Sequence, residues 1–423
     1  MAGTSELNGT PSANIEAASP IGASERIGSM DLLRGVALMG ILVMNIPWFA
    51  FYSSAYFNPT LDGGFEGADF VTWLGSHLLF DQKMMSTFAM LFGAGFLIFI
   101  ERAAAKGHGP SLYYRRLGWL ALFGLAHAYV LWYGDILFTY AISGLLLYPL
   151  RKLPAWALAT LGVGIASVAM GVSVGLGASS GYARENIPEA YAEMAKEFAP
   201  SAEVLSQEAA ARLGSYGEHF VHNAQEALFM QTGGVLIWGL WRSLGMMLLG
   251  MALMKWGVLS GARSARFYAV MMSAGFLVGL PIVAGGVVMS IRSEFDFVDL
   301  FLVNGHFNYI GSMFVALGWI GLVMLVFRLG VSGAIGRAIA AMGQMALTNY
   351  LGQSLIMAVI FNGWGLGWFR ELSRSQTVLV VGGIWLAQLI LSPLWLSRFR
   401  FGPAEWLWRS LTYWKRQPMV RAA

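Results

Sequence analysis

Residues 307–327 read FNYIGSMFVALGWIGLVMLVF, 21 consecutive positions without a charged side chain. About 20 apolar residues rising about 1.5 Å each cover the roughly 30 Å hydrocarbon core of a bilayer, so this stretch is expected to cross a membrane as one helix. Nine more stretches share its character: Leu32–Tyr52, Met84–Ala104, Leu112–Tyr133, Ile136–Leu150, Pro154–Gly177, Phe229–Lys255, Phe267–Ser290, Ile339–Asn362 and Val378–Leu396. The stretch Ile136–Leu150, bounded by Asp135 and Arg151, is short for a span. Of the 423 residues, 57% are hydrophobic and 12% charged, too little polar surface to clothe a soluble protein of this size. The expected fold is all-α, a polytopic transmembrane bundle of about ten spans over residues 30–416.

If ten spans alternate sides from a cytoplasmic N-terminus, nineteen Lys and Arg residues fall inside, among them Arg34, Arg102, Arg115 and Arg116. Six fall outside: Arg184, Lys196, Arg212, Arg292, Arg370 and Arg374. That bias predicts both termini in the cytoplasm. The net charge of +4 then reflects topology and gives no support to nucleic-acid binding. Cysteine is absent, which removes disulfides, thiol catalysis and thiolate metal sites.

Three segments are expected outside the bilayer. Residues 1–29, rich in Ser, Ala, Gly and Thr, read as a disordered cytoplasmic tail. Residues 178–228 turn polar, with Glu at spacings of largely four, and read as an extracytoplasmic helical insertion that either caps the bundle or admits an external substrate. Residues 398–423 interleave Arg and Lys with Trp406, Trp408, Tyr413 and Trp414, an amphipathic segment suited to the inner headgroup layer. Membrane lipids are therefore expected partners.

Polar groups inside spans carry the functional signal, because burying them is costly unless they are paired or hydrated. Asp31 and Arg34, three apart, form either a helix-entrance ion pair or a polar lining. The run Phe80-Asp81-Gln82-Lys83 opens the second span. In the third, Arg115 and Arg116 mark one end, His127 lies deep, and Asp135 follows at a turn. Were the helix continuous, His127 and Asp135 would share a face about 12 Å apart, lining one cavity without bonding directly. His127 reads either as a structural histidine or as a general base. Arg242 needs a carboxylate, a carbonyl array or water. Asn349 and Gln353, four apart, can bond between helices or bind substrate. Ser167, Gly171 and Gly175 form a small-residue ridge expected to pack against a neighbour. No Walker loop, HExxH, GxSxG, dinucleotide fingerprint or metal-ligand set is present, so no metal is expected.

Five ordered motifs carry a resemblance: MDLLRGVALMGILVMNI (30–46), KMMSTFAMLFGAGF (83–96), RRLGWLALFGLAHAYVLWYGDILFTYAISG (115–144), GQMALTNYLGQS (343–354) and RFGPAEWLWRSLTY (400–413). Together they resemble the YeiB-like bacterial membrane proteins built on the domain of unknown function 418. That family looks distantly similar to the transmembrane acyltransferases, which include heparan-alpha-glucosaminide N-acetyltransferase and the sugar O-acyltransferases. The resemblance implies a bacterial inner membrane location and transfer from a cytoplasmic acyl-CoA to an acceptor across the membrane. It directs attention to Asp31/Arg34 and His127/Asp135. One departure stands out: the N-acetyltransferase branch places a reactive His in the loop after its first span, and Tyr52–Asp69 contains none.

The expectation is an acyltransferase in which His127 is the base towards an acceptor hydroxyl or amine, Asp135 orients it or the acceptor, and Arg115 and Arg116 engage donor phosphates. Substrate binding is assigned to Asp31, Arg34, Arg115, Arg116, Arg242, Asn349 and Gln353. The acceptor is unassigned, and a homo-oligomer is admitted. The alternative is a transporter or flippase for a small or lipidic substrate.

Overall fold

A computed structural model describes residues 28–196 and 198–421. Of the expected tail, residues 1–27 lie outside the described residues, and Gly28 and Ser29 are already helical. The helices in chain order are α1 (Gly28–Ala50), α2 (Gly67–Leu79), α3 (Lys83–Ala105), α4 (Pro110–Val130), α5 (Leu137–Leu145), α6 (Leu147–Leu150), α7 (Ala155–Asn186), α8 (Pro188–Ala195) and α9 (Ala202–Leu213). There follow α10 (Tyr216–Phe229), α11 (Leu240–Lys255), α12 (Ala265–Arg292), α13 (Phe297–Asp299), α14 (Gly305–Leu329), α15 (Gly333–Gln344), α16 (Ala346–Phe361), α17 (Arg374–Arg398) and α18 (Pro403–Tyr413). Segments of π-helix, Met230–Gly239 and Leu300–Asn304, join α10 to α11 and α13 to α14. The fold is an all-α bundle, and the β structure among the described residues is one isolated bridge, Phe399 to Val420.

Seven helical stretches are long and apolar enough to cross a membrane: Gly28–Ala50, Gly67–Ala105, Ala155–Asn186, Tyr216–Lys255, Ala265–Arg292, Phe297–Leu329 and Arg374–Arg398. The other three expected spans have a different build. The third is α4, 21 residues with Arg115 and Arg116 inside it. The fourth breaks into α5 and α6, and the ninth breaks at Met345 into α15 and α16. An apolar run does not reveal a helix break, because the residues around the break stay hydrophobic.

Close helix contacts set the frame. A Cβ on Gly93 of α3 would lie 2.0 Å from the Met247 carbonyl oxygen, and one on Gly250 of α11 would lie 1.9 Å from that of Met90. Backbones meet directly there, which small residues permit. The ridge Ser167–Gly171–Gly175 does not pack as expected: all three are exposed, and no neighbour comes within 4 Å of a Cβ on Gly171 or Gly175. The packing face of α7 carries Gly162, Ala166 and Ala169 instead, with Gly162 against the Gly245 carbonyl of α11. In a Gly- and Ala-rich helix both faces offer small residues at spacing four, so spacing alone does not select the face.

Residues 178–228 are helical, although α7 runs on to Asn186 before α8, α9 and α10 follow. Ser215 and Glu218 form a reciprocal capping box at the start of α10. The C-terminal helix α18 packs against α4 and α16. Trp408 is 8% exposed and donates its indole N–H to the Arg116 carbonyl at 3.0 Å. That ring belongs to the bundle, whereas Trp414, 75% exposed, is free to sit at an interface.

Candidate functional site

At the C-terminus of α4 the chain folds back on itself. The last carbonyls of a helix need outside donors, and the Asn223 amide of α10 supplies them to Ala128 (2.7 Å) and Tyr129 (3.1 Å). Its oxygen accepts the Tyr133 N–H at 2.8 Å, so one side chain pins both limbs of the turn. Tyr216 donates to the Val130 carbonyl at 3.0 Å.

The turn returns Asp135 to His127. Asp135 Oδ1 lies 2.9 Å from His127 Nδ1, and Oδ2 accepts the Phe138 N–H at 2.7 Å as α5 begins. The expected 12 Å separation is therefore overturned, because α4 stops at Val130 and does not continue through Asp135. Gly124 is needed for this closure, since a Cβ there would lie 2.4 Å from the Phe138 nitrogen and 2.7 Å from Asp135 Oδ2. The two side chains are 0% and 1% exposed. Assigning the Nδ1 proton to the carboxylate contact leaves Nε2 with its lone pair, and Nε2 is buried without a hydrogen-bond partner. An imidazole so oriented can accept a proton from a hydroxyl or amine.

Two cavities approach this dyad. The larger, about 230 Å³, has Asp31, Arg34, Arg102, Arg116, Glu405 and Arg409 on its wall at one end, and Ile41, Phe88, Phe92, Leu120, Leu137 and Tyr350 at the other. His127 and Asp135 do not themselves line it, contrary to expectation. Tyr350 does, and its ring packs 5.0 Å from the His127 ring. Its hydroxyl makes no hydrogen bond.

The smaller cavity, about 10 Å³, is lined by Phe49, Leu131, Trp132, Tyr133, Arg212, His219, His222, Asn223 and Asn362. That is room for about one water. Trp132 forms its wall towards the dyad, edge-on to His127 at 6.3 Å. Arg212 is held by Glu208 (3.0 Å), the Trp48 carbonyl (2.9 Å) and Ser53 (3.0 Å). Burial works against its charge, yet Glu208 and Tyr133 keep its pKa above the ordinary arginine value.

The large cavity is built by distant segments. Arg34 bonds Asp31 at 2.9 Å and reaches the Gly343 carbonyl at 3.4 Å. The Arg116 guanidinium lies 3.6 Å over Trp408 and 4.9 Å from Phe99. Arg115 instead covers Trp414 at 4.5 Å and does not line the cavity. Glu405 of α18 accepts the Leu347 N–H at 2.6 Å and the Thr348 N–H at 3.2 Å, an anion on the N-terminus of α16. This explains why GPAEW and GQMALTNY belong to one assembly.

Asn349 and Gln353 are taken up by the α16–α17 contact and do not line the cavity. Asn349 bonds Ser392 at 3.1 Å, Gln353 bonds Gln388 at 2.9 Å, and Gln388 returns to the Asn349 carbonyl at 3.0 Å. Arg242 finds a carbonyl and hydroxyls: Tyr309 O (2.8 Å), Ser86 (2.8 Å) and Ser312 (2.6 Å). Beside it Asn308 accepts from Lys83 and donates to Asp81. These groups lie outside both cavities. Sequence reading missed Asn223 and Glu405: Asn223 carries no local signal, whereas Glu405 stands in a motif whose partner helix the sequence does not identify.

A family described as "Protein of unknown function (DUF418)" matches residues 253–415. The chain is 32% identical over 412 residues to the "Uncharacterized protein YeiB" of Escherichia coli (strain K12), covering 94% of this chain and 98% of that protein. It is 30% identical over 416 residues to the "Uncharacterized protein YxaH" of Bacillus subtilis (strain 168), covering 95% and 98%. No solved structure matches it significantly. Similarity over nearly the full length of both relatives establishes that the chain belongs to the YeiB-like DUF418 family.

Proposed function

We propose that this protein is a membrane-embedded acyltransferase, moving an acyl group from cytoplasmic acyl-CoA to an extracytoplasmic or lipid-linked acceptor. One observation carries the reading: a buried His–Asp pair lies between an arginine-lined cavity, through Tyr350, and a small cavity walled in part by Arg212, His219 and His222, through Trp132. Transfer across a membrane needs two compartments meeting at one reactive group. The charge bias supports a multi-pass protein of the bacterial inner membrane with both termini cytoplasmic, the arginine cavity opening inside and the small one lying towards the outside.

Arg34 and Arg116 would hold donor phosphates, with the apolar far end taking the thioester arm. His127 Nε2 would take the acceptor proton as the acceptor attacks the thioester carbonyl, and would return it to the leaving thiolate. Asp135 would fix the tautomer and steady the imidazolium.

Calorimetry on the purified protein tests the donor site. Micromolar binding of CoA, weakened about tenfold or more by Arg116→Ala and unchanged by Arg115→Ala, is the expected result. No binding of CoA or acetyl-CoA would favour the transporter or flippase reading.

A further inference from the structure

The small cavity holds more unsatisfied polarity than packing explains. His219 and His222 stand three apart on α10, on one face. His219 is 6% exposed, and beyond one contact with the Leu131 backbone its ring has a buried nitrogen without a hydrogen-bond partner. His222 Nε2 and Trp132 Nε1 are likewise buried without partners. Buried polar atoms are almost always bonded, to protein, water or ligand. Three orphans on residues around one cavity therefore mark a place where something polar belongs.

The space and the charge say what kind of group. The cavity admits about one hydroxyl-sized group, so the tip of a ligand enters and its body does not. The charge already in place is balanced: the Arg212 guanidinium is committed to Glu208, Trp48 O and Ser53. An incoming ammonium would meet that guanidinium, and an incoming anion would compete with Glu208 for it. A neutral hydroxyl does neither. It donates one bond and accepts others, which suits imidazole and indole nitrogens that need partners of both kinds.

We infer that the small cavity is the acceptor site, in which His219, His222 and Trp132 receive the hydroxyl of an uncharged alcohol or polyol. This rests on the acyltransfer reading. The hydroxyl oxygen attacks the thioester carbonyl carbon, the carbon–sulfur bond breaks, and the electron pair leaves on sulfur. The hydroxyl proton passes through His127 to that sulfur, so the products are an ester and free CoA. Trp132 stands between the cavity and His127, and the inferred transfer requires this side chain to rotate aside.

The test uses purified full-length protein, radiolabelled acetyl-CoA and three probes at equal concentration: glycerol, methylamine and glycolate. Acetylated glycerol should form, with little product from the ammonium or the anionic hydroxyl. His219→Phe and His222→Phe should each raise the KM for glycerol and lower transfer by about tenfold or more. Their CoA affinity and melting temperature should match wild type, which separates a lost contact from a lost fold. Products from methylamine or glycolate at rates equal to glycerol, thioester loss to water with no glycerol ester, or wild-type transfer by both variants would overturn the assignment. If wild-type protein binds no CoA and consumes no thioester, the acyltransfer reading itself fails and takes this assignment with it.

Discussion

Asp135 looks, in sequence, like a turn residue beyond the end of a span, and its meaning changes once it is seen bonded to His127 Nδ1. A buried carboxylate at 2.9 Å fixes which ring nitrogen carries the proton, and so which one is free to act. Asp135→Asn keeps the size but can present an N–H to the ring and favour the wrong tautomer. Turnover should fall by about 10²-fold or more with donor affinity unchanged, measured as acetyl-CoA consumption beside calorimetry. Equal turnover in the variant would reduce Asp135 to a cap on α5. His127 was legible as a costly intramembrane group and Asp135 as its companion, but the direct bond between them was not. The pairing depends on a turn pinned by Asn223, which lies 90 residues beyond Tyr133 in the chain.

At the scale of elements, the insertion of α8, α9 and α10 is a working part of the site, because its Asn223 holds the last turn of α4. Asn223→Ala strips donors from a buried carbonyl and a part-buried one and an acceptor from Tyr133, at a cost of about 1–3 kcal/mol for each buried group left unsatisfied. Turnover should fall in that variant while CoA affinity persists, since the arginine-lined cavity is built from other elements. Parallel loss of both would make the insertion a general support only. The α3–α11 crossing is a separate matter. Gly250→Leu would force apart backbones that now touch at the Met90 carbonyl, and detergent-solubilised protein should melt at a clearly lower temperature. Helix existence was readable from apolar periodicity. The turn before Ile136 was readable too, but the break at Met345 was not, because its flanks stay buried and apolar. The face of α7 was misread for a related reason: Gly and Ala recur on all its sides.

For the whole molecule, the proposal puts the arginines and α18 at a cytoplasmic mouth and α9 and α10 outside, as the charge bias supports. The absence of native cysteine makes this easy to check. A cysteine introduced as Ser206→Cys, at an exposed position of α9, should react with an impermeant reagent on intact cells. Labelling only after lysis would invert the topology.

The central claim is that His127 works as the base between donor and acceptor compartments, and single-turnover acyl transfer measured beside donor binding tests it most directly. His127→Ala should lower transfer from acetyl-CoA by about 10²–10⁴-fold, because the base acts on the acceptor in the transition state. Its CoA affinity should stay within about twofold of wild type, as His127 does not line the donor cavity. A His127→Ala protein that transfers acyl groups at the wild-type rate would contradict the account.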